Sequence, residues 1–90
     1  MKIPDTNAED AEALALGALG WTVAEGTRAE RLLALTGLSP DDLRSRLTER
    51  SVLAAVLAFL EAHEPDLIAC AEHLGVPPAR LVAARETLER

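Results

Sequence analysis

The sequence predicts an all-α fold, a compact bundle of about six short helices around a central hydrophobic helix at residues 52–62. The segment VLAAVLAFL, residues 52–60, has no charged or hydrogen-bonding side chain, so as a helix it belongs in a core. Leucine and alanine dominate the apolar residues, and no strand-length alternation of polar and apolar residues occurs. On the central helix we expect one face of larger residues and a back of small ones, Ala54, Ala55, Ala58 and Ala62.

Size and composition indicate one soluble domain. The chain has 90 residues, 49% of them hydrophobic, and we assign residues 7–90 to a single helical domain and residues 1–6 to a flexible N-terminal arm. The first residues lack the apolar stretch of a secretory signal, and the central apolar segment is far shorter than the roughly 20 residues that span a membrane. The single cysteine excludes an intrachain disulfide. We therefore expect a cytoplasmic protein without membrane contact.

Capping signals define the first two helices. Thr6 with Glu9 has the spacing of a capping box and predicts a first helix over residues 7–23. Because glycine destabilises a helix interior, Gly17 and Gly20 should serve the close approach of another helix, such as the alanine side of the central one. The two apolar faces of helix 1 should be Leu14, Ala18 and Trp21 on one side and Leu16, Leu19 and Val23 on the other.

The second helix should begin after Gly26 and end at Gly37. Thr27 with Glu30 has the spacing of another capping box, and Gly37 followed by an aliphatic residue is typical of a Schellman-type ending. The expected buried residues of helix 2 are Leu32, Leu33 and Leu35.

The segment LTGLSPDDL, residues 35–43, contains the strongest local signal in the chain. Ser39 is a favoured N-cap and Pro40 a favoured first helical residue, while Asp41 and Asp42 complement the positive end of a helix dipole. They predict a third helix, whose inward residues should be Leu43 and Leu47.

Two proline-containing stretches predict the last helices. Pro65 breaks the central helix and starts helix 5, which Gly75 ends, and Pro78 starts helix 6, which should run to Leu88. The expected inward face of helix 5 is Leu67, Cys70, Ala71 and Leu74, and helix 6 places at helical spacing Leu81, Val82, Arg85 and Leu88.

The chain matches itself weakly at an offset of 38 residues, where Gly37, Leu38, Pro40 and Leu43 align with Gly75, Val76, Pro78 and Leu81. Two interpretations follow. Either the fold contains two similar three-helix halves, or two helix junctions use the same stop and start residues.

The same junctions have the spacing of a DNA-binding helix-turn-helix, most closely at Ala71, Gly75, Val76 and Leu81. A recognition helix needs cationic or amide side chains, but helix 3 begins with two aspartates, and helix 6 offsets Arg80 and Arg85 with Glu86 and Glu89. The net charge of −6 further disfavours phosphate backbones. A helix-turn-helix regulator is therefore the alternative function, and we do not expect nucleic acid as a partner.

Few residues could carry chemistry. Cys70 and His73, with His63 and Glu72 nearby, could suggest a metal site or a reactive thiol, but Cys70 falls on the predicted buried face. No Gly-rich phosphate loop, Ser-His-Asp arrangement, HExxH motif or catalytic carboxylate pair occurs. We predict no enzymatic activity, no catalytic residue, no cofactor and no metal.

The segments LLALTGLSPDDLR, residues 32–44, and AAVLAFL, residues 54–60, with Trp21 before them and Cys70 after, resemble a small all-helical alphaproteobacterial family. That family is catalogued as a domain of unknown function, family 3572. The resemblance extends from about Ala8 to Leu88 and is most specific at residues 36–43. It implies a compact helical cytoplasmic protein and transfers no activity or site residue.

These observations lead us to expect a non-enzymatic protein–protein interaction domain. The sequence does not define the partner. Because a chain of 90 residues with this apolar content exposes some apolar surface as a monomer, we expect a homodimer to be favoured.

Overall fold

The computed structural model describes the backbone of residues 4–90 and the side chains from Ala8 onward. Its six helices confirm the predicted all-α fold: α1 (Pro4–Val23), α2 (Gly26–Thr36), α3 (Pro40–Ser45), α4 (Arg50–Glu61), α5 (Glu64–Leu74) and α6 (Pro78–Glu89). The Cα radius of gyration is 12.4 Å, close to the value of about 12 Å expected for a folded domain of this length. Among the helices described, none has the length and hydrophobicity needed to cross a bilayer.

The first helix starts earlier than predicted. α1 begins at Pro4, three residues before the expected start at Asn7. The predicted capping box of Thr6 and Glu9 involves the side chain of Thr6, which lies outside the described residues. Much of the predicted N-terminal arm, residues 1–6, lies outside them as well.

Helix α4 occupies the centre of the fold, as predicted, and packs against α1, α2, α5 and α6. Its buried residues are Val52, Leu53, Ala54, Val56, Leu57, Phe59 and Leu60. Burial of α4 is not complete, however, because Ala58 and Ala62 are exposed and Ala55 is only partly buried. One strip of the central helix therefore faces solvent.

Helix α1 packs on α4 and α6 through small side chains. A stripe at helical spacing is buried: Ala11, Ala15, Ala18 and Thr22. The hydroxyl of Thr22 donates to the carbonyl oxygen of Ala18 (2.8 Å), so its polar atom is satisfied inside the core. The predicted faces of this helix are only partly right, because Leu16 and Val23 are each 43% exposed. Alanines, and not leucines, form most of the contact line of α1 because they let the helix axes approach closely.

Two arginines connect α2 to its neighbours. The guanidinium of Arg28 lies 3.7 Å from the ring centroid of Trp21 and donates to the carbonyl oxygen of that residue (2.6 Å), which joins α2 to the end of α1. Arg31 forms an ion pair with Asp66 of α5. Leu32, one turn after Arg28 and next to Arg31, is fully buried. Leu32 therefore lies on the side of α2 that faces the core.

The predicted cap at the start of α2 is wrong, and the predicted cap at the start of α3 is confirmed. Glu25 is the N-cap of α2, since its Oε1 accepts a hydrogen bond from the backbone N–H of Arg28 (2.9 Å); the predicted capping box of Thr27 and Glu30 is therefore wrong. The start of α3 is as predicted, and a full capping box joins Ser39 and Asp42 through two hydrogen bonds of 3.0 Å.

This capping box predicts a specific acid sensitivity. The hydrogen bond from the backbone N–H of Ser39, supported by the side chain of Ser39, lowers the pKa of Asp42 below 3.8. A carboxyl whose pKa is lower in the folded state stabilises the fold above its unfolded pKa, and that contribution disappears as the pH falls through the folded pKa. We expect Asp42→Asn, which keeps an acceptor oxygen but does not titrate, to lose less stability than wild type between pH 5 and pH 2. Urea unfolding across that range measures the difference, and parallel curves would contradict it.

The two predicted C-terminal glycines are confirmed as left-handed residues, with φ of +76° at Gly37 and +74° at Gly75. Their hydrogen bonds differ. Gly37 donates to the carbonyl oxygen of Leu33 (2.9 Å), which is an αL motif and not the predicted Schellman ending. The Schellman motif occurs instead at the end of α5, where Gly75 donates to Glu72 (3.1 Å) and Val76 to Ala71 (3.0 Å).

The two glycines inside α1 have different surroundings. A Cβ atom at Gly17 would lie 3.0 Å from Cδ2 of Leu74, so the close approach predicted there is present, with α5 and not with the alanine side of α4. A Cβ atom at Gly20 would meet no atom within 4 Å. The close-approach prediction is therefore wrong at Gly20, which lies on the exposed side of the helix.

Gly20→Ala is expected to raise the free energy of unfolding by about 0.5–1 kcal/mol, because alanine restricts the unfolded chain and fits the open space. Gly17→Ala gains the same helix propensity but must displace the side chain of Leu74, so we expect a smaller gain or a loss. Thermal unfolding followed by circular dichroism compares the two variants. Equal increases in melting temperature would contradict the contact between α1 and α5.

The two halves of the chain are not equivalent. α6 has 12 residues and buries Leu81, Ala84 and Leu88, whereas α3, its counterpart at the 38-residue offset, has 6 residues and buries none. Both junctions do place a left-handed glycine after one helix and a proline at the start of the next. Shared turn chemistry therefore explains the internal match better than a structural repeat.

Candidate binding groove along helix α4

The exposed strip of α4 forms the floor of a shallow groove. Three adjoining hollows, of ≈ 400, ≈ 400 and ≈ 300 Å³, follow one another along the helix and share residues. Together we call them the α4 groove. Its α2 wall is formed by Arg31, Leu35 and Thr36, and its α6 wall by Leu88 and Glu89. Its floor is formed by Ser51, Ala54, Ala55, Ala58, Phe59, Ala62 and His63. Its floor is thus almost entirely apolar, and most of its side chains are small.

The most prominent side chain of the α4 groove is Leu35, which is 72% exposed. The sequence prediction that Leu35 is buried is therefore wrong. The core-facing line of α2 runs through Arg28, Leu32 and Thr36, at intervals of one helical turn, so Leu35 projects past the edge of α4. A large aliphatic side chain consequently stands in water beside a hydrophobic floor.

The charged side chains at the two ends of the α4 groove are held in ion pairs, Arg31 with Asp66 and Glu89 with Arg85. At the end near the C-terminus of α4 lie Arg31 and His63, and the guanidinium of Arg31 is 5.9 Å from the ring centroid of Phe59. At the opposite end, on the α6 wall, lies the carboxylate of Glu89, which accepts a hydrogen bond from Nη1 of Arg85 (2.7 Å). The charge at each end of the groove is therefore balanced within the fold.

A second apolar surface lies between α1 and α3. It surrounds a hollow of ≈ 270 Å³ lined by Leu19, Val23, Pro40, Leu43, Arg44 and Leu47. Leu47 is 37% exposed, contrary to its predicted inward position, because α3 ends at Ser45 and leaves Leu47 in the following turn. Leu43 is partly buried and packs on the core, as predicted. This surface shares no residue with the α4 groove.

The residues considered for metal or thiol chemistry do not form an accessible site. Cys70 is fully buried, as predicted, and burial raises the pKa of its thiol to about 11, which keeps the thiol protonated and unreactive at neutral pH. His73 and Glu72, on the same helix, are exposed. Among the side chains from Ala8 onward, no group of three or more His, Cys, Asp or Glu residues is arranged to hold a metal ion.

Helix α6 does not present a free basic face. It packs against both α1 and α4, and the guanidinium of Arg85 is engaged by Glu61 and Glu89. The hydrogen bond to Glu61 is the main reason that the pKa of Arg85 is raised. Arg80 lines a polar cleft with Asp10 and Arg90, between α1 and α6. The exposed side of α6 thus carries Arg80 and Arg90 together with Glu86 and Glu89.

Comparison with known proteins places the chain in a family. Residues 8–90 match the profile of the family described as "Protein of unknown function (DUF3572)". The match confirms the resemblance seen at residues 32–44 and 54–60, and it covers all six helices apart from the first residues of α1. No curated protein and no solved structure gives a match.

Proposed function

The chain belongs to the family described as "Protein of unknown function (DUF3572)", and we propose that it acts as a non-enzymatic domain that binds protein through the α4 groove. One observation carries the proposal. Leu35 is 72% exposed at the edge of a groove with an apolar floor. A protein that covered this surface would remove Leu35 and the alanine floor from water, which is favourable by roughly 25 cal/mol per Å² of apolar area.

The shape of the α4 groove suits a helix. α4 has 12 residues, so the groove is about 18 Å long, enough for about three turns of a helix lying along it. In helix-in-groove recognition, apolar residues of the ligand helix contact the groove at intervals of three or four residues. The alanines of the floor allow the two helix axes to come close.

Two features support binding over catalysis or DNA recognition. The thiol of Cys70, the most reactive type of side chain in the chain, is buried and protonated. The helix that would read DNA is a core helix whose Arg85 is already paired with Glu61. The single reduced cysteine is also consistent with our proposal that the protein acts in the reducing cytoplasm.

The test is capture of partners from native cell extract with three full-length baits. We expect wild type and Ile68→Glu to retain the same proteins and Leu35→Glu to lose them, because Ile68 is exposed on α5, outside the α4 groove. Both substituted residues are exposed, so both baits should melt within a few degrees of wild type. Equal capture by all three baits would show that the groove is not the binding surface.

A further inference from the structure

We propose that residues 38–49, which we call the α3 strap, unfold locally while the other five helices stay packed, and that they act as a lid on α1. When the α3 strap is closed, Leu19 lies beneath it, beside the hollow that the two segments share. When the strap opens, Leu19 joins Leu16 and Val23 in one exposed apolar line, because the three residues lie at helical spacing on one face. The inference does not depend on the α4 groove.

The α3 strap is weakly packed. The other five helices pack on one another, whereas α3 has no extended interface with any of them. No residue of the strap is buried, and Leu43 is its one hydrophobic residue that packs against the buried core. The hollow of ≈ 270 Å³ between the strap and α1 leaves their contact loosely filled. Detachment of the strap therefore breaks few apolar contacts.

The polar contacts of the α3 strap lie within the strap itself. The capping box joins Ser39 to Asp42, and the ion pairs of Arg44 and Arg46 are with aspartate and glutamate residues of the same segment. Among the side chains from Ala8 onward, none of those in the strap forms a hydrogen bond or an ion pair with a residue outside it. These interactions stabilise the helical form of the strap without attaching it to α1.

The short length of α3 explains why the α3 strap opens as one unit. α3 has 6 residues, and isolated helices shorter than about 12–15 residues are marginal in water, so α3 does not persist once its contact through Leu43 is lost. The helices on either side stay in place, because α2 packs directly on α4. The left-handed Gly37 and the turn before Arg50 are the two ends of the opening segment. Opening is thus a local event with its own free energy.

The first experiment is brief trypsin digestion of the folded full chain, with the first cuts located by mass spectrometry. Arg44 and Arg46 lie in the α3 strap, and Arg31 lies in the packed helix α2. Because cleavage follows the population of the unfolded segment, we expect cuts after Arg44 and Arg46 to be at least about 100-fold faster than cuts after Arg31.

Leu57→Ala distinguishes local from global opening in this experiment. Leu57 is fully buried in the core that stays packed in the open form, so its loss destabilises the closed and open forms equally. We expect cutting after Arg44 and Arg46 to stay within about twofold of wild type, and cutting after Arg31 to become roughly 100-fold faster. If the cuts in the α3 strap accelerate as much as the cut after Arg31, the strap opens only with the whole fold and the inference is wrong.

The second experiment tests whether opening uncovers α1, through alkylation of Leu19→Cys by iodoacetamide in a chain that also carries Cys70→Ala. Leu19 is 6% exposed and Leu16, on the same helix, is 43% exposed, so Leu16→Cys in the same background is the matched control. We expect Leu19→Cys to react at least about 100-fold more slowly than Leu16→Cys. Adding Ser39→Ala, which removes the cap of α3, should accelerate the reaction of Leu19→Cys about fivefold and leave that of Leu16→Cys unchanged.

The reaction of Leu19→Cys has two results that contradict the lid. A rate equal to that of Leu16→Cys would mean that the α3 strap does not cover α1. A slow rate that Ser39→Ala does not change, together with rapid cuts after Arg44 and Arg46, would mean that α3 frays without uncovering α1. Circular dichroism of each variant verifies that the helices are retained.

Discussion

Leu57→Ala is expected to lower the free energy of unfolding by about 3 kcal/mol, within the range of about 2–5 kcal/mol for buried leucines. Leu57 is fully buried in α4, the helix that contacts four others, so the lost side chain leaves a cavity that its neighbours cannot fill without moving α4. Small domains have only about 5–15 kcal/mol of stability in total. The melting temperature should therefore fall by roughly 10–20 °C.

The matched control is Leu35→Ala, the same substitution at a position that is 72% exposed. It should change the free energy of unfolding by less than about 0.5 kcal/mol when measured on the monomer. Urea unfolding of both variants at one protein concentration gives the comparison. Comparable losses would mean that α4 is not the centre of the core.

Ala15→Leu is expected to destabilise the fold by about 1–3 kcal/mol through overpacking. Ala15 is fully buried in the stripe along which α1 lies on α4 and α6, so a larger side chain forces the helices apart. Ala13→Leu is the control, because Ala13 is exposed on the same helix and leucine has nearly the helix propensity of alanine. Thermal unfolding should therefore show a clear decrease for the first variant and little change for the second. Equal stability of the two would indicate a loosely packed α1.

Local signals in the sequence predicted the helices well. A glycine followed by a proline determines a boundary through backbone geometry alone, which is why the ends at Gly37 and Gly75 and the start at Ser39 were predictable. The central position of α4 was predictable for another reason: a helix without polar side chains has no surface suited to water. Neither inference requires knowledge of the neighbouring helices.

The orientation of each helix about its axis was harder to predict. In α1, leucines and alanines occur on every side, so the sequence does not distinguish the stripe with Ala15 and Ala18 that is actually buried. In α2, Leu32, Leu33 and Leu35 are chemically alike, yet Leu32 is fully buried and Leu35 is 72% exposed, which depends on how α2 packs on its neighbours. Such choices depend on tertiary packing.

The candidate site was not predicted from the sequence for the same reason. The signal was present, because Ala55, Ala58 and Ala62 were recognised as the small side of α4, but the expectation that this helix lies in the core concealed the groove. A helix with a strip of alanines can be covered by its own fold or by a partner. Only the placement of α2 and α6, on either side of that strip, distinguishes these cases.

The enclosed position of Cys70 gives the chain an internal reporter of breathing motions. Because the sulfur is sealed from water and holds its proton, an aromatic disulfide reagent can react only with molecules in which α5 has detached. The chain has no other cysteine, so each coloured leaving group released marks one molecule that reacted at Cys70 while it was open. The rate of colour development, compared with that of the urea-unfolded chain, therefore gives the population of the open form without any added label.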